Sequence, residues 1–129
     1  MKTNEINDAV YDYLITKHSR VYKNNPVQQP AFPYVVFFID SVNNSMPSDD
    51  LYLNINIYED PKKSIRAIET LGDEIDGDRL TPTGLNMMVI NTSDVALRFF
   101  REQRQRVGAD DLISSQMVNI RYVLRAYYK

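Results

Sequence analysis

Along residues 50 to 60, DLYLNINIYED, apolar and polar positions alternate with a period of two. Leu51, Leu53, Ile55 and Ile57 are aliphatic, and Tyr52, Asn54, Asn56 and Tyr58 between them are polar or amphipathic. Successive side chains of a strand point to opposite faces, so the pattern predicts a strand with an aliphatic face in the core and a tyrosine and asparagine face turned away from it. The last segment, MVNIRYVLRAYY, repeats the device, with Val118, Ile120, Tyr122, Leu124 and Ala126 set against Asn119, Arg121, Val123, Arg125 and Tyr127. Between Pro33 and the polar stretch SVNNSMPSDD, the β-branched and aromatic run YVVFFID predicts a further strand. The asparagine and serine stretch after it, residues 41–49, is expected to be a mobile hairpin or an excursion at the sheet edge.

A different period governs the N-terminal segment. Ile6, Val10, Tyr13 and Leu14 recur at spacings of three and four over residues 3 to about 20, with Thr3 or Asn4 as N-cap and Glu5 near the positive end of the dipole. This helix is expected to stop near Tyr22, where KNNPVQQPAFP supplies three prolines. A second helix is expected from Asp60-Pro61, with Asp60 as N-cap, Ile65, Ile68, Leu71 and Ile75 on one stripe, and Gly77 as the stop. LNMMVIN, residues 85–91, predicts a short strand. DVALRFFREQRQR fits two patterns: Val95, Leu97 and Phe99 alternate as in a strand, whereas Ser93 or Asp94 would cap a helix with Leu97, Phe100 and Arg101 on one face. The strand is preferred. The order of elements predicts a single α+β domain over residues 1–129, a mainly antiparallel β-sheet packed against two α-helices.

Composition narrows the function classes. The chain of 129 residues is 43% hydrophobic and 25% charged, with a net charge of -2, so nothing in the bulk suggests disorder or a footprint for duplex nucleic acid. With no cysteine there is no disulfide, thiolate nucleophile or thiolate metal site, which favours assembly in a reducing interior. The N-terminus has no apolar signal region and no stretch approaches the roughly 18 apolar residues of a membrane span, so neither secretion nor insertion is expected.

Candidate chemistry is sparse. Asp73, Glu74, Asp76 and Asp78 cluster near the end of the second helix, but counting from Asp76 an EF-hand would need a ligand at Leu80 and a glycine at Thr81, so the cluster reads as solvated helix-end carboxylates and no metal is expected. The single histidine, His18, is expected to be exposed at the end of the first helix. No nucleophile elbow and no glycine-rich phosphate or dinucleotide loop occurs, so no catalytic residue, cofactor or enzyme activity is assigned. Arg98, Arg101, Arg104 and Arg106 interleave with Phe99 and Phe100. Such a run can track phosphates, but it is better read as core phenylalanines with arginines facing solvent or the acids of a neighbouring subunit. The nine tyrosines of the chain, several on strand faces, fit either an ordinary solvent-facing sheet, in which tyrosine is a good strand former, or a binding surface, where an amphipathic ring buries area and keeps a hydroxyl for a hydrogen bond; they point to a binding surface more than to an active site. The candidate interface residues are Tyr52, Asn54, Asn56, Tyr58, Arg98, Arg101, Arg121, Arg125 and Tyr127.

A short N-terminal helix, PYVVFFIDS, DLYLNINIYEDPKKSIRAIETLGDEIDG and the closing strand NIRYVLRAYY together resemble the small tail-completion proteins of long-tailed bacteriophages, the tail terminator and head-to-tail joining proteins. The proline-rich segment 26–33 and the arginine segment 93–106 lie outside the resemblance. It implies a non-enzymatic α+β subunit of a hexameric ring in the virion tail or neck, assembled in the host cytoplasm. Its implied partners are copies of itself, the major tail-tube protein and the head connector, with no membrane and no specific nucleic acid. The neighbouring alternative is a head-completion adaptor or minor capsid protein. An alternative from another class is a small nucleic-acid-binding regulator using the arginines.

Overall fold

In the computed structural model, which describes residues 3–28, 30–45, 48–77, 83–107 and 116–129, the chain runs α1 (Thr3–Ile15), β1 (Val21–Lys23), β2 (Tyr34–Ser45), β3 (Ser48–Glu59), α2 (Arg66–Asp76), β4 (Val89–Asn91), β5 (Val95–Val107) and β6 (Gln116–Tyr128). The strands form one six-stranded mixed sheet in the order β1-β2-β3-β6-β5-β4. β1 pairs parallel with β2, and the other four pairings are antiparallel. This is an α+β architecture.

The period-two alternation of the four long strands is in phase across the sheet. Ile55 lies opposite Phe37 on one side and Ile120 on the other, and Leu53 lies between Ile39 and Tyr122. Both helices pack on the aliphatic face, where Ile6, Val10 and Leu14 of α1 and Ile68, Leu71 and Ile75 of α2 join the strand residues in a single core. Each aliphatic or aromatic side chain taken fully out of water there contributes about 1.5–3 kcal/mol. α1 crosses the sheet from the turn before β5, where the Glu5 carboxylate accepts from Ser93 and the Asp94 N–H, to β1.

Several elements differ from the expectations. α1 ends at Ile15, and Thr16, Lys17 and His18 close its last turn on Tyr13 and Leu14 carbonyls. The chain is released there because the sheet takes up Val21–Lys23 as β1, an unexpected element in which Val21 is buried beside Val35. His18 is half-buried rather than exposed: its Nε2 lies 2.8 Å from the Pro33 carbonyl, which also accepts from Arg20 Nε at 3.0 Å. α2 starts at Arg66, not at Pro61. Asp60 instead builds a turn, its carboxylate accepting from the Lys62 N–H and its carbonyl from the Lys63 N–H. Gln116 of β6 pins that turn by donating to the Asp60 and Lys63 carbonyls, so residues 61–65 cannot join the helix.

Segment 93–106 is the strand of the two readings, since β5 pairs with β6 over its whole length, with a bulge between Arg101 and Gln103. Only Val89–Asn91 of LNMMVIN is a strand. Leu85 and Asn86 are held earlier, their N–H groups donating to the Ile75 and Asp76 carbonyls at the end of α2. In the segment expected to be a loop, β2 and β3 pair down to Ser45 and Ser48, with an irregularity between Ser41 and Asn43. Asp78, residues 79–82, Asp110 and Asp111 lie outside the described residues.

Gly77 closes α2 as expected, with φ of 80° and its N–H on the Asp73 carbonyl. Gly84 returns against it so closely that a Cβ would overlap Gly77 and the Asp76 backbone. At Gly72 a Cβ would lie 3.0 Å from the Arg104 guanidinium and in ordinary contact with Ile120 at 3.6 Å, so the guanidinium, held on Asp73 and Glu69, need give by only a few tenths of an ångström. Gly84→Ala should therefore lower stability by about 1–3 kcal/mol. Gly72→Ala should change it by less than about 1 kcal/mol, the strain being offset by helix propensity. Urea midpoints at unchanged slope measure both, and equal effects would refute the close approach of the two glycines.

Candidate functional site

The face of the sheet turned away from the helices carries the alternate residues of every long strand. Tyr34, Val36, Phe38 and Asp40 of β2 lie opposite Tyr58, Asn56, Asn54 and Tyr52 of β3, and these in turn lie opposite Met117, Asn119, Arg121 and Val123 of β6. Among the described residues, no element packs over this face. Most of its side chains are half-buried by one another.

Several of its polar groups are paired with one another. At one end the Tyr34 and Tyr58 rings stack with centroids 4.9 Å apart, and Tyr22 and Phe32 flank Tyr34 at 6.2 and 5.5 Å. Burial, with the Tyr58 and Tyr22 hydroxyls nearby, raises the Tyr34 pKa. In the middle, Asn119 Nδ2 donates to Asn56 Oδ1 (2.6 Å) and Arg121 Nε to Asn54 Oδ1 (3.2 Å). The Arg121 guanidinium sits 5.1 Å from the Tyr52 ring centroid, and Arg98 sits 5.2 Å from that of Phe100. At the far end Arg125 Nε donates to Asp50 Oδ1 (2.9 Å), and its pKa is raised by the Tyr127 side chain and then by Asp50. The face is a preorganised, arginine-bearing aromatic surface, a composition enriched where proteins meet.

All the expected interface residues except Arg101 share this face. Asn54 is only 4% exposed, so it supports the surface from beneath rather than offering itself to a partner. Arg101 lies on the helix side opposite Tyr122, and its Nη1 donates to Asp76 Oδ2 at 2.6 Å. Tyr34, Phe38 and Tyr22 were missed, although the alternation of Tyr34, Val36, Phe38 and Asp40 against Val35, Phe37 and Ile39 carries the signal.

The arginine segment is divided between two faces. Arg104 pairs with Asp73 and Glu69 of α2, whereas Arg98 lies on the outer face over Phe100, so no continuous basic track runs along β5. Nor is the acidic cluster uniformly solvated. Asp73 and Glu74 are exposed, but Asp76 is buried and both of its carboxylate oxygens are occupied, Oδ1 by the Tyr122 hydroxyl (2.7 Å) and Oδ2 by Arg101. Beside it the Tyr13 hydroxyl donates to the Ile75 carbonyl (2.7 Å), tying α1 to the end of α2. This cluster is a clasp that fixes two helices to β5 and β6. Among the described residues no group of histidine, cysteine, aspartate or glutamate is placed to hold a metal ion, and no helix is long and apolar enough to cross a membrane.

No protein-family model matches the chain, and no curated protein matches it in sequence.

The clasp makes stability depend on alkaline pH. Burial, then the charge of Asp76, pushes the Tyr13 pKa up to about 12, and burial with the Asp76 hydrogen bond raises that of Tyr122 further. Below the unfolded tyrosine value of about 10 both rings are neutral in either state and their contribution is complete. Above it the unfolded chain releases protons that the folded chain retains, so stability falls as pH rises from about 10 towards 12. Urea midpoints should decline over that window, and Tyr122→Phe should flatten the decline while lowering neutral-pH stability by about 1–3 kcal/mol through the carboxylate left short of a donor. An unchanged slope in Tyr122→Phe would contradict this assignment.

Proposed function

We propose that this chain is a structural virion assembly protein, a ring subunit that caps the tail tube of a long-tailed bacteriophage, stops its polymerisation and joins the finished tail to the head connector. The observation that carries the reading is the sheet face over which no described element packs. A mainly antiparallel sheet with one face filled by two helices keeps a second face of Tyr34, Tyr52, Tyr58, Arg121 and Arg125, already locked by stacking and hydrogen bonds. A partner docking there orders few side chains, which lowers the entropic cost of association. A ring subunit needs such surfaces, since each copy meets two neighbours and further proteins along the tail axis. The resemblance of PYVVFFIDS, DLYLNINIYED and NIRYVLRAYY to tail-completion proteins supplies the identity of the partners. The division of the arginines between two faces, with Arg101 and Arg104 already on α2 acids, speaks against a phosphate-tracking regulator.

Negative-stain electron microscopy of the purified protein with tail-tube protein tests the reading. Tubes assembled in its presence should be shorter and bear a terminal ring, whereas unaltered tube lengths would sink it. Binding to isolated portal-side connector before any tail is added would instead favour a head-completion adaptor. The double variant Tyr52→Ala/Tyr58→Ala loses one stacking and one cation–π contact, each about 0.5–1.5 kcal/mol, so it should stay folded. It should nevertheless cap tubes at least about tenfold less effectively, corresponding to about 1.4 kcal/mol of docking energy. Circular dichroism and capping titration separate the two effects, and an unfolded double variant would mean that this face is core.

A further inference from the structure

Among the described residues, nothing covers two stretches of backbone at the margins of the sheet. β1 covers β2 only from Val35 to Phe37, and β4 with its preceding turn covers β5 only as far as Arg101, whose N–H donates to Asn86 Oδ1. The outward direction follows from the alternation of the ladder. On β2, Val35 donates to Arg20 and Phe37 accepts from Asn24 on the β1 side, so Ile39 and Ser41 also face outward. On β5, Phe99 exchanges bonds with Met87 and Met88 on the β4 side; the bulge after Arg101 shifts the alternation by one, so Arg104 and Arg106 face outward beyond it. No backbone partner among the described residues reaches the outward groups of these four positions. Proteins ordinarily cover or blunt an edge of this length, because it is a template for another strand.

We propose that copies of this chain join head to tail, the bare edge of β2 in one copy adding to the bare edge of β5 in the next. Four features of the structure select this pairing. β2 and β5 run in opposite directions within one sheet, so a neighbour in the same orientation brings its β2 antiparallel to β5, with all helices on one side and all tyrosine faces on the other. The short strands sit at opposite corners, β1 beside the start of β2 and β4 beside the start of β5, and leave two steps that interlock when the neighbour is displaced along the strands by about four residues, roughly 13 Å. Beside the β5 step, an open groove of about 460 Å³ runs between Glu69 and residues 101–106, where an added strand would lie. Finally, the edges differ in charge: Asp40 is exposed on the outer face of β2, where it would meet the neutral Gln103 or Gln105, whereas β5 carries on its helix face Arg104, paired with Asp73 and Glu69, and the exposed Arg106. Two β5 edges brought together would set arginines against arginines, and two β2 edges would set Asp40 against itself, so pairing of unlike edges is favoured over either like pair. The proposal deepens the ring reading and rests on it for closure alone: a stagger at each step closes a ring only if the strands tilt against its axis, and otherwise propagates a helix.

Cross-linking tests the pairing, since the chain has no cysteine of its own. Asp40 and the β5 residues Gln103 and Gln105 are exposed on the outer face, at positions that become non-hydrogen-bonded pairs, with Cα atoms about 4.5 Å apart, within disulfide reach. Asp40→Cys mixed with Gln103→Cys or with Gln105→Cys should give a disulfide-linked heterodimer on non-reducing electrophoresis, and neither variant alone should give a comparable homodimer. Arg106→Pro removes one outward N–H and leaves the β6 side of the ladder intact, so it should fold with an unchanged circular dichroism spectrum yet shift native mass spectra towards monomer, with at least about tenfold weaker association. Homodimers in equal yield, or no heterodimer from either mixture, would overturn the proposal. Rings without the cross-link would reject strand pairing and leave the ring reading standing. Cross-linked open filaments would do the reverse.

Discussion

Everything in this fold leans on the pairing of β3 with β6 at the centre of the sheet. Both strands have neighbours on either side, and their helix-facing residues coincide row by row, Leu51 with Leu124, Leu53 with Tyr122, Ile55 with Ile120 and Ile57 with Val118. A slip of one residue would carry Asn54, Asn56 and Arg121 into the core and the aliphatic set into water, so this register is fixed by a large free-energy difference. The same constraint divides the sheet into two unlike faces. Two helices of 13 and 11 residues fill one of them, and the clasp of Tyr122 and Arg101 on Asp76 sets where the second helix ends.

The outer face is therefore a consequence of the core, not a separate device. Once the aliphatic positions are committed, the alternate positions must lie opposite one another on the far side, and their chemistry determines what that side can do. Asparagine bonds asparagine, and arginine lies over tyrosine while donating to an asparagine oxygen. Such a face keeps its shape before a partner arrives. It differs in this from a loop-built surface, where ordering would oppose binding.

How much of this was legible depends on the range of the interaction concerned. The strands announced by period two were found where alternation put them, because that signal is local and repeated over many residues. β5 was ambiguous from its own sequence and was resolved by a partner some twenty residues later in the chain, a contact no local pattern encodes. The start of α2 was misread for a related reason. Asp60-Pro61 is a sound helix start in isolation, but Gln116, more than fifty residues away, holds the turn open. Asp76 looked like a solvated acid at an unfavourable helix end, and its misfit with the dipole was the visible trace of the buried partners that compensate it. Arg101 was grouped with the other arginines by composition, although its parity with Phe99 assigns it to the helix side.

Strand edges and strand faces cannot serve the same partner in the assembly proposed for this chain. Lateral joining through β2 and β5 uses main-chain groups and leaves every outer side chain free, so the tyrosine and arginine faces of successive copies become one continuous belt. Axial partners then meet a surface repeated once per subunit, and many weak, identical contacts act together through effective concentration. Single subunits holding a partner only through Tyr52, Tyr58 and their neighbours would bind weakly, whereas a closed ring of them would bind tightly. The division of labour makes capping conditional on assembly: a surface that is preorganised but individually weak discriminates a complete ring from a stray subunit. It follows from a sheet with one committed face, one open face and two unlike bare edges.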